Sequence, residues 1–149
     1  MPFLSEDGKI VQISSLVGGL SFQGEKIQQR LKGPDLSREE LFAIADELLE
    51  KVKENKYEAL GWNTQHYHNS KCLLNAYTKF VLPKLLKDGQ NCYNATPGYC
   101  KTDMTPPDAP RSADEGARTP ILTIKLPAVK EQNPYRGYYE DEKLVETYE

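Results

Sequence analysis

At 149 residues the chain is the size of one domain, yet only 38% of it is hydrophobic, leaner than an average globular domain. Nineteen Lys and Arg stand against 22 Asp and Glu, a net charge of −3, with no long basic run or aromatic-interleaved basic stripe, which speaks against nucleic acid and anionic membranes as partners. No apolar run approaches the ~18 residues of a membrane span and no leader-like segment opens the chain; Cys72, Cys92 and Cys100 form neither a C-x-x-C pair nor an even framework, pointing to reduced thiols in a cytoplasmic protein without structural zinc.

Lys9 to Ser14, with Ile10, Val11 and Ile13 behind the turn-like Glu6-Asp7-Gly8, predicts a buried strand. It runs into Ser14-Ser15-Leu16-Val17-Gly18-Gly19, where small residues let the chain turn sharply and bring a hydroxyl to the mouth of a sheet. Ser15 is the candidate hydroxyl; two serines merely capping a strand end is the plainer alternative. A polar region from Ser21 to about Asn63 follows. Within it Ser37-Arg38-Glu39-Glu40 is a capping box, and Leu41, Ile44, Ala45, Leu48 and Val52 recur at helical spacing behind it.

From Thr64 to about Leu86 a longer helical pattern is expected to break or kink near Pro83. Its first turns hold Tyr67 and Lys71, four residues apart and so on one helix face. An ammonium there favours the phenolate and brings proton donation within reach near neutrality. Tyr139 and Lys143 repeat the spacing, but in an expected terminal strand, where residues four apart lie ~13 Å apart and cannot cooperate in this way. His66 and His68, two apart on a helix, point different ways, so a metal pair is not expected and a rim or solvent role is.

Asn91 to Thr96 predicts a second strand, stopped by Pro97-Gly98, and makes the sequon Asn94-Ala95-Thr96 a buried strand end. After the loop from Lys101 to Pro107, a second capping box, Ser112-Ala113-Asp114-Glu115, opens a helix carrying Ile121, Leu122 and Ile124, with a kink expected at Pro120. Arg136 to Val145 reads as a strand and turn. The order implies right-handed crossovers, a parallel α/β sheet and a ligand site beyond the carboxyl ends of its strands, where Ser15 and Pro97-Gly98 fall.

Ile-Val-Gln-Ile-Ser-Ser, Tyr67-x-x-Ser70-Lys71, and the run from Asn94 to Met104 resemble, in this order, the C-terminal half of a short-chain dehydrogenase/reductase. The long interval from Ser15 to Tyr67 and the tail segments Ser-Ala-Asp-Glu-Gly-Ala-Arg-Thr-Pro and Gly-Tyr-Tyr-Glu-Asp-Glu-Lys-Leu-Val resemble the monomeric carbonyl reductases, which reduce ketones, aldehydes and quinones with NADPH. The resemblance implies one partial domain over residues 1–149, with 21–63 a helical insertion, and about three strands with flanking helices from a Rossmann-like doubly wound parallel sheet. It implies Tyr67 as general acid, Lys71 as its activator and a holder of the nicotinamide ribose, Ser15 as a donor to the developing alkoxide, and Pro97, Gly98, Cys100 and Thr102 along the nicotinamide; Ser14 would be structural. Gln12 departs from the Asn usual in the family. No G-x-G-x-x-G turn occurs among the ten glycines, so the pyrophosphate site and a further catalytic Asn would lie upstream. Met1-Pro2-Phe3-Leu4 resembles the end of a preceding helix, which would leave the first strand an exposed edge open to association. A non-catalytic fragment or interaction protein derived from the family is the alternative to an enzyme.

Overall fold

A computed structural model describes residues 4–130 and 133–145; Met1, Pro2 and Phe3 of the helix-end resemblance lie outside them. The chain forms two compact units, one contiguous from Leu16 to Lys84 and the other assembled from the segment ending at Ser15 and the chain from Leu85 onward.

The contiguous unit is helical, with α1 (Glu25–Leu31), α2 (Arg38–Lys53) and α3 (His66–Ala76). The sequence-predicted capping box opens α2: the Glu40 amide donates to Ser37 Oγ at 3.1 Å and the Ser37 amide to Glu40 Oε2 at 2.9 Å. That start sets the phase that buries Leu41, Ile44 and Leu48, which join Leu20, Ile27, Leu31, Tyr57, Trp62, Cys72, Ala76 and Val81 in one core. The helix predicted to follow is not uniform. Its α form ends at Ala76, a π turn spans Tyr77–Val81 with the Leu82 amide bonding to the Tyr77 carbonyl, and a 3-10 turn covers Leu82–Leu85. Pro83 has no N–H and its ring crowds the carbonyl four residues back, so the break comes ahead of it, as expected.

The second unit is a four-stranded sheet in the order β1 (Lys9–Ile13), β2 (Asn91–Ala95), β3 (Tyr135–Glu140) and β4 (Lys143–Val145). The first three strands are parallel, in register Ile13↔Ala95 and Ala95↔Tyr139, and β4 returns antiparallel. Every residue of β2 is buried, the burial expected of a central parallel strand, and Asn94, Ala95 and Thr96 are buried with it. Two features differ from the sequence reading. The terminal strand is a hairpin: Asp141 and Glu142 both take positive φ, the backbone of a tight turn whose twist matches its strands. Tyr139 and Lys143 are therefore not strung along one strand. Tyr139 pairs with Leu144 and Lys143 with Glu140, on successive rungs whose side chains point to opposite faces, so the pair is still unable to cooperate, for a different reason. The other feature is α4 (Ala113–Lys125), opened by its predicted box at Ser112: it buries Gly116, Thr119 and Thr123, while Ile121 and Ile124 are exposed.

Candidate active site

Tyr67 and Lys71 both stand on α3, with Lys71 Nζ 5.6 Å from the centre of the phenol ring. The ammonium thus sits over the ring face, and Tyr67 itself is 56% exposed. The helix start that carries the pair is built from amides. Gln65, at the N-cap, supplies no side-chain cap, and Asn63 takes over: its Oδ1 accepts from the Gln65 amide at 2.8 Å. Asn69, fully buried one turn on, donates to the Asn63 carbonyl (2.9 Å) and accepts from the Asn63 amide (3.1 Å), while Gln23 Oε1 accepts from the same amide at 3.0 Å. Sequence reasoning missed these residues; an Asn three residues before the helix start was the available signal. Gly18, read from sequence as part of a sharp turn, also serves close approach: a Cβ there would lie 2.6 Å from the Lys71 carbonyl carbon. The Asn75 side-chain amide donates to the Gly18 carbonyl at 3.1 Å and holds the two segments together. His66 and His68 diverge, one ring against Tyr57 (4.9 Å between centres) and the other edge-on to Phe22 (5.3 Å).

The remaining candidates belong to the sheet unit. The Ser14 amide bonds to the Ala95 carbonyl at 2.8 Å, prolonging the ladder, so the chain leaves β1 at Ser15 beside the exit from β2 at Pro97 and Gly98. Ser14 is buried and Ser15 half-buried. Gly98 has φ +74°, and the space where its Cβ would stand holds the Arg111 guanidinium, which pairs through both nitrogens with Asp141. Asp141 is held below the usual carboxylate range by that guanidinium. Downstream, Cys100 Sγ donates to the Pro97 carbonyl at 3.2 Å and lies where a Cβ on Gly116 would be. Thr105 organises the rest: its hydroxyl donates to the Cys100 carbonyl (2.6 Å) and accepts from the Thr102 amide (2.8 Å). The Thr102 hydroxyl accepts from the Met104 amide at 3.3 Å, within this same loop. The structure therefore brings Tyr67 together with Lys71, and Ser15 together with Pro97 and Gly98.

No protein-family model matches the chain. Carbonyl reductase 1 (NADPH) of Sus scrofa is 29% identical over 152 residues, covering 98% of this chain and 52% of the relative. The Homo sapiens protein of the same name is 30% identical, covering 98% and 54%. Among solved structures, salutaridine reductase from Papaver somniferum superposes with a TM-score of 0.78 at 28% identity, over 91% of this chain and 46% of that one. The chain spans about half the length of the curated relatives it matches. With the motif order, the parallel sheet and these matches in agreement, the chain is similar over nearly its whole length to the C-terminal half of the NADPH carbonyl reductases and shares the fold of a short-chain dehydrogenase/reductase.

Proposed function

We propose that the chain carries the proton-transfer and nicotinamide-facing part of an NADPH-dependent reductase acting on ketones, aldehydes or quinones. The observation that supports this most directly is the exposed Tyr67 phenol with the Lys71 ammonium over its ring. In this reading the Tyr67 hydroxyl donates its proton to the carbonyl oxygen, and Lys71 stabilises the phenolate left behind while donating N–H bonds to ribose hydroxyls. Ser15 donates a hydrogen bond to the same developing alkoxide. Bound NADPH supplies the hydride.

The residues present fit the nicotinamide end of that cofactor. Gly98 at positive φ turns the chain under the Arg111 guanidinium at the strand ends, and the loop that Thr105 holds together carries Cys100 and Thr102 just beyond it. Pro97 directs the chain out of β2 into that loop. For the pyrophosphate, the described residues hold no glycine-rich strand-to-helix turn: β1 leads into a 3-10 turn at Leu16–Gly18 and β2 into Pro97. That gap favours a second reading, a non-catalytic binding protein derived from the same family.

NADPH oxidation with a quinone or an aldehyde, followed by absorbance, together with NADPH binding followed by Trp62 fluorescence, separates the two. Binding with turnover, and a loss of at least about a hundredfold in turnover in Tyr67→Phe with binding retained, is the expected result for a general acid. Absence of both binding and turnover decides for the non-catalytic protein.

A further inference from the structure

Arg111 stands where three segments of the sheet unit meet. Its backbone holds the loop that leaves β2: the Lys101 amide donates to the Arg111 carbonyl at 2.7 Å, and Cys100 and Arg111 form a parallel bridge. Its side chain reaches the β3–β4 hairpin, where Nη1 and Nη2 pair with the two carboxylate oxygens of Asp141, Nη2 with Oδ2 at 3.0 Å. On the way the guanidinium passes Gly98. A Cβ on that glycine would lie 2.7 Å from Nη1, 2.8 Å from Cζ and 3.0 Å from Nε. Because the three distances are nearly equal, the flat face of the guanidinium is turned to the glycine.

The far end of this tie is anchored. Asp141 opens the hairpin turn at φ +48°, a conformation that Asp tolerates better than most side chains. The next amide, that of Glu142, donates to Thr119 Oγ1 of α4 at 3.0 Å, and the Thr96 amide just past β2 donates to the Tyr139 carbonyl of β3 at 2.9 Å. The loop beyond Gly98 is instead bonded within itself, through the Thr105 hydroxyl to the Cys100 carbonyl and the Thr102 amide. Such bonds set the shape of the loop. Its place on the sheet unit is set where it meets other segments, and Arg111 meets it twice, at Gly98 through the guanidinium and at Lys101 through the carbonyl.

We propose that Arg111 is a positioning residue for the turn from Gly98 to Thr102: its guanidinium, held in orientation by Asp141, is the plate against which Gly98 turns, and it fixes that turn for the cofactor. The inference rests on the reading of the turn as nicotinamide-facing, and adds to it a residue outside the turn that acts through Gly98 and Lys101. The flat face and the two-pronged pairing carry the role. A lysine keeps the charge but offers neither a plane nor a fork, so it cannot fill the place. Small displacements matter here, because misplacing a reacting group by about 1 Å costs about a hundredfold in rate.

Arg111→Lys tests the plate and Asp141→Asn its anchor; the Asp141 side chain is 56% exposed, so the second change leaves the fold in place. Amide hydrogen exchange and NADPH binding, the latter titrated through the nicotinamide fluorescence, are measured on the whole chain. In both variants the Lys101 and Thr102 amides are expected to exchange at least about tenfold faster, while the Tyr93 and Ala95 amides of β2 keep their rates. The dissociation constant for NADPH is expected to rise at least about tenfold in both. Should Arg111→Lys loosen β2 as well, Asp141→Asn alone decides. An unchanged dissociation constant makes the pair a structural tie only and overturns the proposal; so does weaker binding with Lys101 and Thr102 exchange unchanged, which assigns the arginine to the cofactor itself. Absence of NADPH binding by the unaltered chain overturns the reading of the turn and the proposal with it, and this result is told apart from the others before any variant is made.

Discussion

A methyl group at position 18 would meet the Lys71 backbone at 2.6 Å and the Asn75 amide nitrogen at 2.8 Å, both on a packed helix that cannot step aside without moving the Tyr67–Lys71 pair. Gly18→Ala is therefore expected to lower the stability of the helical unit by about 1–3 kcal/mol, the usual cost of overpacking. Asn69→Leu acts on the other end of the same helix: it leaves the Asn63 carbonyl without its buried donor and the Asn63 amide with Gln23 alone, a loss of about 1–3 kcal/mol. Urea unfolding followed through the buried Trp62 measures both, and an unchanged midpoint in either variant contradicts the packing described. The reactive pair was legible from spacing, because a helix turns residues four apart onto one face. The residues that position it were not, since Gly18, Asn63 and Asn69 act through backbone contacts with partners distant in sequence or on another segment, and no local periodicity reports those.

Both capping boxes are expected to shape the response to acid. Hydrogen bonds from the Ser37 amide and hydroxyl hold Glu40 below the usual carboxylate range, and Ser112 does the same for Glu115. A carboxylate whose folded value lies below its unfolded one adds stability that is present above the unfolded range and is lost as pH falls through the folded value. Ser37→Ala and Ser112→Ala should therefore flatten the fall of the melting temperature between roughly pH 5 and pH 3, seen in thermal melts across that range. Glu140 carries the opposite sign: burial, then the Asp141 charge, push it up, so its contribution improves as pH falls. At this scale the sequence was informative wherever a rule is local. The two boxes, the positions of β1 and β2 and the break ahead of Pro83 were all expected, but β1 is half-buried with Ile13 exposed, where a buried strand was read. What escaped were features decided by tertiary neighbours: β4 needs a turn at two non-glycine residues of positive φ, and α4 buries small residues because it lies close to the sheet, with Cys100 Sγ already in the space beside Gly116.

The described core of the helical unit is drawn from residues between Leu20 and Val81, all within one contiguous stretch. A segment of residues 16–84 is accordingly expected to fold by itself, with a single cooperative urea transition reported by Trp62; a non-cooperative, gradual change in fluorescence would contradict this. The sheet unit has no such independence, because its first strand and its second are separated by that whole stretch. Lys9 pairs with Asn91, about eighty residues later, and at about 5–20 residues per second of synthesis β1 waits several seconds for β2 to be made. The helical unit has that interval in which to close its core. The edge of β1 that β2 will cover is bare throughout those seconds and open to mispairing, so the order of synthesis makes the wait for β2 a matter of folding yield as well as of final structure.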